Sequence, residues 1–371
     1  MRAMILAAGV GSRLAPITDQ LPKPLIPVLG KPVLSRILEL LIQNGFNEFI
    51  ANTHYLGDKI EKVYADQITI KHEDKLSGVA GGIRVCADFL REGKDTFAII
   101  MGDALTDINL KEMLQSHKSS GAQATIAIKQ VQDTTQFGVV CFDDKGTVTS
   151  FQEKPKAEDA MSNWANTGVY LFEASILDQI PSEEEAPEYD VAHDLFPKLL
   201  SDNISINTYK ADAYWADLGT HEQYRQTLFD ALEGTLKVEI PGQPYSWGYL
   251  GSGSKMSAGC FVKNKAYIGR NCQIGRTILK GHVVIEDNCV IEDGVVLENC
   301  LIMSGATVKA DSKLKEMNVA PHQIIYPIEE PNLEIIQINP ISSARALERK
   351  KDNAMLSFLK EAAESIVSLI K

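Results

Sequence analysis

Met4-Ile5-Leu6-Ala7-Ala8-Gly9-Val10-Gly11-Ser12-Arg13-Leu14 is the stretch that decides the fold of this chain. The apolar run from Met4 to Ala8 predicts a buried strand that ends directly at a glycine-rich turn. Because glycine lacks a Cβ and tolerates positive φ, such a turn lets backbone N–H groups approach phosphate oxygens. Arg13, and Lys23 in the following Pro22-Lys23-Pro24-Leu25, add positive charge where a polyphosphate would lie. The stretch therefore indicates an anion-binding loop at the end of a strand.

Two common phosphate-binding loops do not fit this stretch. The dinucleotide fingerprint requires a third glycine at position 14, where this chain has Leu14. The P-loop requires Gly-Lys followed by Ser or Thr, and the sequence lacks that tripeptide. The loop must therefore belong to another kind of phosphate site.

The composition is that of a globular protein of about two domains, with 371 residues, 44% hydrophobic and 23% charged. A net charge of −12 disfavours nonspecific binding to nucleic acid or an anionic membrane, so we expect neither as a partner. No apolar run reaches the ~20 residues of a membrane span, and Met4 to Ala8 is too short for a signal-peptide core, so we expect a cytoplasmic protein. The six cysteines lack Cys-x-x-Cys spacing, which argues against structural zinc and disulfides.

The chain from residue 2 to about 235 has the pattern of an α/β domain. Short β-branched runs alternate with amphipathic helical stretches, which predicts a mostly parallel mixed sheet with helices on both faces. One helix is expected to begin near Lys31-Pro32 and to end at Asn44-Gly45. Strands are expected at residues 49–51, 68–70, 97–100 and 124–128. Ligands of such sheets bind beyond the carboxyl ends of the strands, where both the Gly9 loop and Gly102-Asp103 fall.

A different pattern begins after Pro241-Gly242-Gln243-Pro244. Apolar residues recur every six positions, and a small or apolar residue lies four positions after most of them. The two series are Val262, Ile268, Ile274, Ile285, Ile291, Leu297, Ile302 and Val308, and Ala266, Cys272, Ile278, Cys289, Val295, Leu301 and Ala306. Six residues per edge and three edges per turn predict a triangular parallel β-solenoid, with Gly269, Gly275 and Asn288 at corners and Cys272 and Cys289 as core fillers. A sandwich of short antiparallel strands is the alternative.

The tail from Ser342 to Lys371 predicts a helix that begins with Ser342 or Ser343 as its cap. Its apolar residues are spaced four and three apart, which indicates that one face docks on another surface. That surface is either the chain's own solenoid or another subunit, and we expect a homo-oligomer.

The opening stretch, together with Pro16, Thr18 and the Pro22-Lys23-Pro24 frame, resembles the signature Gly-x-Gly-x-Arg-Leu-x-Pro-x-Thr…Pro-Lys-Pro of the sugar-1-phosphate nucleotidylyltransferases. The resemblance is close over residues 1 to about 235 and looser over the solenoid. It implies a Rossmann-like catalytic domain over residues 1–235, a left-handed β-helix of hexapeptide repeats over 236–330 and a helical tail over 331–371. It also implies an NTP and a hexose-1-phosphate as substrates and Mg²⁺ as the cofactor.

Two aspartates fit the metal site that this chemistry needs. The attacking phosphate is already an anion, so the protein has to offset charge and align the reactants, and needs no general base. Asp103 and Asp217 match the family's Gly-Asp and Trp-x-Asp-x-Gly-Thr patterns and would bind Mg²⁺, with Arg13 and Lys23 as fixed cations. Each aspartate alone could be a helix cap. Asp107 is expected to cap a helix that begins near Asn109.

By the same resemblance, Lys154 would hold the sugar phosphate and Glu153 would accept hydrogen bonds from sugar hydroxyls. Gly138 and Asn166 would complete the sugar pocket. A solvated surface pair is the other interpretation of Glu153-Lys154.

The nucleotide is expected to contact the backbone at two places. The first consists of Leu6, Ala8, Gly9 and Gly11, and the second of Gly81 and Gly82. The second lies in Leu76-Ser77-Gly78-Val79-Ala80-Gly81-Gly82, which aligns with a family turn that reads the base. Val79 replaces the family's threonine there, which leaves the base undecided. None of the seven histidines has metal-ligand spacing, although His282 in the solenoid raises a hexapeptide-repeat acyltransferase as a rival for that region.

These residues predict a Mg²⁺-dependent enzyme that makes an NDP-hexose and pyrophosphate. GDP-mannose from GTP and mannose-1-phosphate is the first prediction, and UDP-glucose or dTDP-glucose is the alternative. A regulatory subunit that binds a nucleotide sugar without turnover is an alternative of another class. A pure binder has no need of both Asp103 and Asp217, so their presence favours the enzyme.

Overall fold

The computed structural model describes residues 1–93, 96–321, 323–325 and 336–337. An α/β region comes first, and a stack of short strands follows it. The strands of the first region are β1 (Arg2–Ala7), β2 (Pro27–Val28), β3 (Lys31–Pro32), β4 (Glu48–Thr53), β5 (Thr69–His72), β6 (Phe97–Met101), β7 (Ala104–Thr106), β8 (Ala124–Gln130), β9 (Val139–Phe142), β10 (Val148–Gln152), β11 (Trp164–Phe172), β12 (Ile206–Lys210) and β13 (Trp215–Asp217). Its helices are α1 (Val33–Gln43), α2 (Gly57–Tyr64), α3 (Gly78–Val85), α4 (Ala87–Glu92), α5 (Leu110–Ser120), α6 (Phe196–Ser201) and α7 (His221–Glu233).

The main sheet of the first region is mixed, as the sequence predicts. Its path is β10-β9-β11-β6-β1-β4-β5, and β8 and β12 join it through β11. The β6-β1-β4-β5 part is parallel, whereas β11 runs antiparallel to β6 and β8. The carboxyl ends of β1, β4, β5 and β6 therefore meet at one edge of the sheet.

Helices cover both faces of this sheet, because successive residues of β1 point to opposite sides and those from Ala3 to Ala7 are all apolar. Ala3, Ile5 and Ala7 pack in one core with α1 and α7. Met4 and Leu6 pack in a second core with α3, α4 and α6. The prediction of helices on both faces is confirmed.

The predicted helix after Lys31-Pro32 is confirmed as α1, with Pro32 at its N-cap and Asn44 at its C-cap. The predicted cap of α5 is wrong. Asn109 is the N-cap, and its side-chain oxygen accepts a hydrogen bond from the N–H of Glu112 at 3.2 Å. Asp107 instead accepts a hydrogen bond from the N–H of Tyr214 at 2.7 Å, and so ties the start of β13 to the β7–α5 loop.

The second region consists of parallel rungs. Its strands are β14 (Gln243–Tyr245), β15 (Gly248–Leu250), β16 (Lys255–Met256), β17 (Phe261–Val262), β18 (Lys265–Ile268), β19 (Gln273–Ile274), β20 (Ile278–Ile285), β21 (Val290–Ile291), β22 (Val296–Ile302), β23 (Thr307–Val308), β24 (Lys313–Lys315), β25 (Asn318–Ala320), β26 (Gln323–Ile325) and β27 (Ile336–Gln337). Lys265 of β18 pairs in parallel with His282, 17 positions later, and Lys255 of β16 pairs with Gln273, 18 positions later. A turn of about three hexads is therefore confirmed, and the parallel ladders exclude the antiparallel sandwich.

One detail of the solenoid prediction needs correction. Ile278 is 40% exposed, and its neighbour Leu279 occupies the core position instead. Asn288 has the left-handed backbone of a corner, with φ of 59°, and Gly269 and Gly275 each directly follow a strand, β18 and β19. A Cβ on Gly269 would lie 2.7 Å from the N of Asp287 in the next rung, so glycine is needed there for close stacking of rungs.

The prediction that Cys272 and Cys289 fill the solenoid core is confirmed. Cys272 and Cys289 are fully buried in the solenoid core, and all six cysteines of the chain are unpaired. None of the described helices is long and apolar enough to cross a membrane. The predicted helix between Ser342 and Lys371 lies outside the described residues.

The solenoid packs against α7. Tyr267, Val284 and Leu301 belong to the same hydrophobic core as α1 and α7. His282, which raised the acyltransferase alternative, stacks on Phe229 of α7 and hydrogen-bonds the carboxylate of Glu233. The two regions therefore share one continuous core.

The solenoid core is expected to depend on Ile285, which is fully buried in β20. Ile285→Ala should lower the free energy of unfolding by about 2–5 kcal/mol, because it leaves a cavity between rungs. Ile278→Ala on the exposed part of the same strand is the matched control and should cost under ~1 kcal/mol. Urea unfolding followed by circular dichroism measures both, and equal losses would contradict the assigned core.

Candidate active site

Parallel pairing of β1 with β6 brings the Gly9 turn next to Gly102 and Asp103. The N–H of Gly102 donates to the carbonyl of Leu6 at 2.8 Å. A Cβ on Gly102 would lie 2.6 Å from that same carbonyl oxygen, so only glycine allows the two chains to approach this closely. Asp103 therefore emerges at the carboxyl edge of the sheet beside the glycine-rich turn, as the sequence predicts.

A second, short ribbon places Asp217 beside Asp103. Strand β13 pairs antiparallel with β7, with Asp217 opposite Ala104. The N–H of Leu218 donates to the carbonyl of Asp103 at 3.2 Å. Residues more than a hundred positions apart are thus fixed as neighbours by backbone hydrogen bonds.

The ammonium of Lys23 lies between the two carboxylates. Its Nζ is 2.7 Å from Oδ2 of Asp103 and 3.9 Å from Oδ1 of Asp217. The side chain of Lys23 is only 9% exposed, so these charges interact in a partly desolvated space. Arg13 approaches from the exposed side, with its Nη2 3.8 Å from Oδ2 of Asp217. The structure thus brings together all four residues predicted for catalysis.

The carboxylate of Asp217 is partly buried beside that of Asp103. Burial raises its pKa above the ordinary value, and the negative charge of Asp103 raises it further. Lys23, Arg13 and Lys154 act in the opposite direction. The carboxylate oxygens of Asp103 and Asp217 therefore have lone pairs that can bind an additional cation.

Gly11 shapes the loop around Lys23. Its φ is +70°, and a Cβ there would lie 2.9 Å from Cγ of Lys23. The hydroxyl of Thr18 donates to the carbonyl of Gly11 at 2.9 Å and closes the loop. Glycine is required at this position by both the backbone conformation and the contact with Lys23.

A cavity of about 250 Å³ opens at this edge of the sheet. Its lining includes three of the residues predicted to contact nucleotide, together with Lys23 and Asp103. Those three are Leu6, Ala8 and Gly9. Four polar residues that the sequence analysis missed line it as well, namely Asn52, Glu73, Ser77 and Asp190.

Glu73 is the most unusual of these, because its carboxylate is only 5% exposed. Its Oε1 accepts a hydrogen bond from Nδ2 of Asn52 at 2.6 Å, and its Oε2 accepts one from the hydroxyl of Ser77. Asn52 in turn accepts a hydrogen bond from the N–H of Ala7 at 3.1 Å, which links this group to β1. Asn52 lies near the end of β4, and Glu73 follows β5, so the rule that singled out Asp103 could also have found them.

Gly81 and Gly82 are not among the residues that line the cavity. Helix α3 begins at Gly78, so both lie inside its first turns, and the N–H of Gly81 already donates to the carbonyl of Tyr189 at 2.9 Å. A Cβ on Gly82 would lie 2.5 Å from Nδ2 of Asn52, so its role in this structure is close packing of helix on sheet. Residues 76–79, just before them, line the cavity instead.

The four residues predicted for the sugar phosphate form one group. The N–H of Asn166 donates to the carbonyl of Gly138 at 2.8 Å, and a Cβ on Gly138 would lie 2.7 Å from Oε2 of Glu153. Nζ of Lys154 is 3.4 Å from Oε1 of Glu153, and the Lys154 side chain is 63% exposed. Lys154 has a left-handed backbone with φ of 43°, a strained conformation for a non-glycine residue.

Trp215 connects this group to the aspartates. Its indole Nε1 donates to the carbonyl of Thr167 at 2.9 Å, and its ring meets that of Phe137 edge to face. Trp215 begins the strand that ends at Asp217, so the sugar-phosphate residues and the carboxylate pair share one rigid support.

The donor set of the carboxylate pair fits Mg²⁺. Magnesium prefers oxygen ligands and uses one or two protein carboxylates together with substrate phosphates. Asp103 and Asp217 supply two neighbouring carboxylates, and burial first and the charge of Asp103 second raise the pKa of Asp217. Among the described residues no group of three or more His, Cys, Asp or Glu side chains is placed to hold a metal ion by itself.

Comparison with known proteins agrees with this geometry. The nucleotidyl transferase family model matches residues 2–233, and the model for bacterial transferase hexapeptide repeats matches residues 265–299. The chain belongs to the nucleotidyl transferase family and, within it, to the sugar-1-phosphate nucleotidylyltransferases.

Its relatives differ in substrate. A UTP–glucose-1-phosphate uridylyltransferase from Synechocystis sp. is 40% identical over 65% of this chain and 66% of its own length. A mannose-1-phosphate guanylyltransferase from Mycobacterium tuberculosis is 32% identical over 72% of this chain and 75% of its own length. A crystal structure of a putative glucose-1-phosphate thymidylyltransferase from Bacillus anthracis shares the fold, with a TM-score of 0.56, 23% identity and coverage of 65% of this chain and 97% of that one.

The loop geometry around Lys23 predicts different costs for two neighbouring glycine substitutions. Gly11→Ala should lower the free energy of unfolding by about 1–2 kcal/mol, because alanine is strained at positive φ and its methyl group meets Lys23. Gly9→Ala is the matched control, since a Cβ there meets nothing within 4 Å, and should stay within ~0.5 kcal/mol. Denaturant unfolding distinguishes them, and an undisturbed Gly11→Ala variant would refute the loop geometry.

Proposed function

We propose that this protein transfers a nucleotidyl group from GTP to mannose-1-phosphate, forming GDP-mannose and pyrophosphate. A phosphate oxygen of the sugar phosphate attacks the α-phosphorus of the triphosphate, a P–O bond forms, and the bond to the β-phosphate breaks. The observation that carries the proposal is the Lys23 ammonium held between two carboxylates at the edge of a cavity of about 250 Å³. Residues 1–235 are the proposed catalytic domain, with 236–330 as the solenoid domain and 331–371 as the tail.

In this proposal the protein's task is to bring two polyanions together. Asp103 and Asp217 would hold Mg²⁺, which supplies charge neutralisation on the phosphates when it is bound. Arg13 and Lys23 would place fixed positive charge along the triphosphate, with the amides of Gly9 and Gly11 as donors. Because the attacking phosphate is already ionised, no residue has to remove a proton from it.

The sugar phosphate would bind across the site from the triphosphate. Lys154 would hold its phosphate, since its charge already acts on the carboxylate of Asp217. Glu153 and Asn166 would hydrogen-bond hydroxyls of the ring, and Gly138 would leave room for the ring beside Glu153.

Glu73 supports guanine as the base. Each of its carboxylate oxygens accepts one bond within the protein and has a second lone pair to offer to the cavity. Guanine presents two adjacent donors, the ring N1–H and the exocyclic amino group, which match a carboxylate. Uracil presents one N–H between two carbonyl oxygens, so the second carboxylate oxygen would face a carbonyl. A carboxylate at this place therefore favours guanine.

UTP with glucose-1-phosphate is the second candidate, because the relative from Synechocystis at 40% identity is a uridylyltransferase. Pyrophosphate release from each NTP, with mannose-1-phosphate and with glucose-1-phosphate, separates the two. Fastest release from GTP with mannose-1-phosphate is the expected result. Fastest release from UTP would contradict the substrate pair and keep the reaction class, and no turnover with any pair would favour a regulatory, non-catalytic binder.

Asp103→Asn is expected to lower kcat by about 10²-fold or more while the protein stays folded, because one charge of the proposed metal site is lost. Asp19→Asn, at an exposed position in the loop before Lys23, is the matched control and should keep normal activity. Steady-state pyrophosphate release measures both variants. Near-normal turnover of Asp103→Asn would remove this residue from the metal site.

Glu73→Gln should lower kcat/KM for GTP by about tenfold or more and leave that for UTP much less affected, because an amide offers one acceptor where the carboxylate offers two. Asp74→Asn changes the same charge at the next, exposed position and is the control. Unaltered preference between GTP and UTP in Glu73→Gln would contradict the assignment of the base.

A further inference from the structure

A buried carboxyl group lies between the solenoid and the α/β region. Glu286 follows β20, and its side chain faces α7 with only 5% exposure. Its Oε2 accepts two hydrogen bonds from Ser304 in the next rung, from the N–H at 2.8 Å and from the hydroxyl at 2.9 Å. Its Oε1 is 3.0 Å from the phenol oxygen of Tyr224 on α7.

The same phenol reaches the segment that carries Lys23. Tyr224 is fully buried, and its Oη is 2.6 Å from the carbonyl oxygen of Pro27. Pro32, which lies opposite Pro27 across the β2–β3 pair, has no N–H to donate. The Tyr224 hydroxyl is therefore the donor that this buried carbonyl needs.

The oxygens of Pro27, Tyr224 and Glu286 form a chain, and the number of protons in it determines the protonation state of Glu286. Two hydrogen bonds, from Tyr224 to Pro27 and between Tyr224 and Glu286, require two protons. The carbonyl of Pro27 has none, and the phenol has one. The phenol proton belongs to the shorter contact with Pro27. The second proton must then lie on Oε1 of Glu286, since Oε2 already accepts two hydrogen bonds from Ser304.

We propose that Glu286 is a neutral carboxylic acid in the folded protein, and that its proton orders a chain from Glu286 through Tyr224 to Pro27 that positions the Lys23 segment from the solenoid. Pro27 is four residues beyond Lys23, and the turn that begins at Lys23 leads directly into it. Glu286 and Tyr224 are positioning residues, since neither touches the carboxylate pair.

The surroundings of Glu286 favour the neutral form. Burial raises its pKa from the ordinary 4.5 to about 7, and the negative charge of Asp287 adds to the effect. The other titratable groups that face it are the phenols of Tyr224 and Tyr267 and the thiol of Cys289. Burial raises the pKa of the Tyr224 phenol well above its usual range, so this phenol keeps its proton.

The protonated state of Glu286 determines how the stability of the folded protein changes with pH. Between about pH 4.5 and about pH 7 the folded protein holds a proton that the unfolded chain has lost. The contribution of Glu286 to stability is therefore present at acidic pH and is lost as the pH rises through about 7. Above about pH 7 the single proton of the Tyr224 hydroxyl is shared between two acceptors, the carbonyl of Pro27 and the ionised Glu286. The hydrogen bond from Tyr224 to Pro27 therefore weakens.

Infrared spectroscopy of the full chain tests the proposal directly, with Glu286→Gln as the reference. Glutamine is neutral, and its amide can donate to Tyr224 while its oxygen accepts from Ser304. The wild-type minus Glu286→Gln spectrum at about pH 5.5 should show the carbonyl stretch of a protonated acid, which should vanish above about pH 8.5. Carboxylate bands alone at about pH 5.5 would overturn the proposal.

Carbon-13 NMR of glutamate-labelled wild type is a second measurement that needs no substitution. One side-chain carboxyl resonance should titrate near pH 7. Titration of every glutamate below about pH 5.5 would overturn the proposal. Neither measurement needs a substrate, so both test the proton chain whether or not the proposed function holds.

Kinetics test whether the chain positions Lys23. Tyr224→Phe removes the donor to Pro27 and should lower kcat about tenfold, whereas Glu286→Gln should stay within about twofold of wild type. Tyr209→Phe is the matched control, because it removes a partly exposed hydroxyl that bonds Glu112 at 3.2 Å and takes no part in the chain from Glu286 to Pro27. Equal kcat values for Tyr224→Phe and Tyr209→Phe would overturn the positioning role.

Discussion

Two carboxylates that repel each other are held side by side, and the ammonium of Lys23 between them is the interaction on which the rest of this site depends. Asp103 lies between β6 and β7, and Asp217 ends β13, so neither can move away without breaking backbone hydrogen bonds. Burial raises the pKa of Asp217, and the negative charge of Asp103 raises it further. A site with this excess of oxygen donors is suited to binding a divalent cation together with phosphate, which is the chemistry proposed for the protein.

Helix α7 supports both of the loops that carry Arg13 and Lys23. His221 at its start hydrogen-bonds the carbonyl of Ala15, two residues beyond Arg13, at 2.8 Å. Tyr224, one turn further, reaches the carbonyl of Pro27 beyond Lys23. The other side of the same helix packs on the solenoid, where Asn318 donates to the carbonyl of His221 at 3.1 Å and accepts from Arg225. The solenoid therefore supports the loops of the site through its contacts with α7.

The sequence was sufficient for the parts of the fold whose signals are local or periodic. The apolar run before Gly9, the limits of α1 and the hexads of the solenoid each follow from residue spacing and are confirmed.

The details that the sequence could not supply depend on tertiary contacts. Asp107 and Asn109 are both good caps, and only the pairing of β13 with β7 decides between them. Ile278 and Leu279 are equally apolar, and the strand's rotation decides which is buried. Glu286 became visible only through its surroundings, because an isolated glutamate in a sequence carries no mark of burial.

The central claim is that Asp103 and Asp217 act as one cation-binding unit rather than as two independent charges. A double-mutant cycle of Asp103→Asn and Asp217→Asn, measured as kcat/KM for pyrophosphate release, tests it most directly. The account predicts that the double variant is hardly worse than either single variant, because the first substitution already disables the unit. Losses that add in full, so that the double variant equals the product of the two single effects, would contradict it.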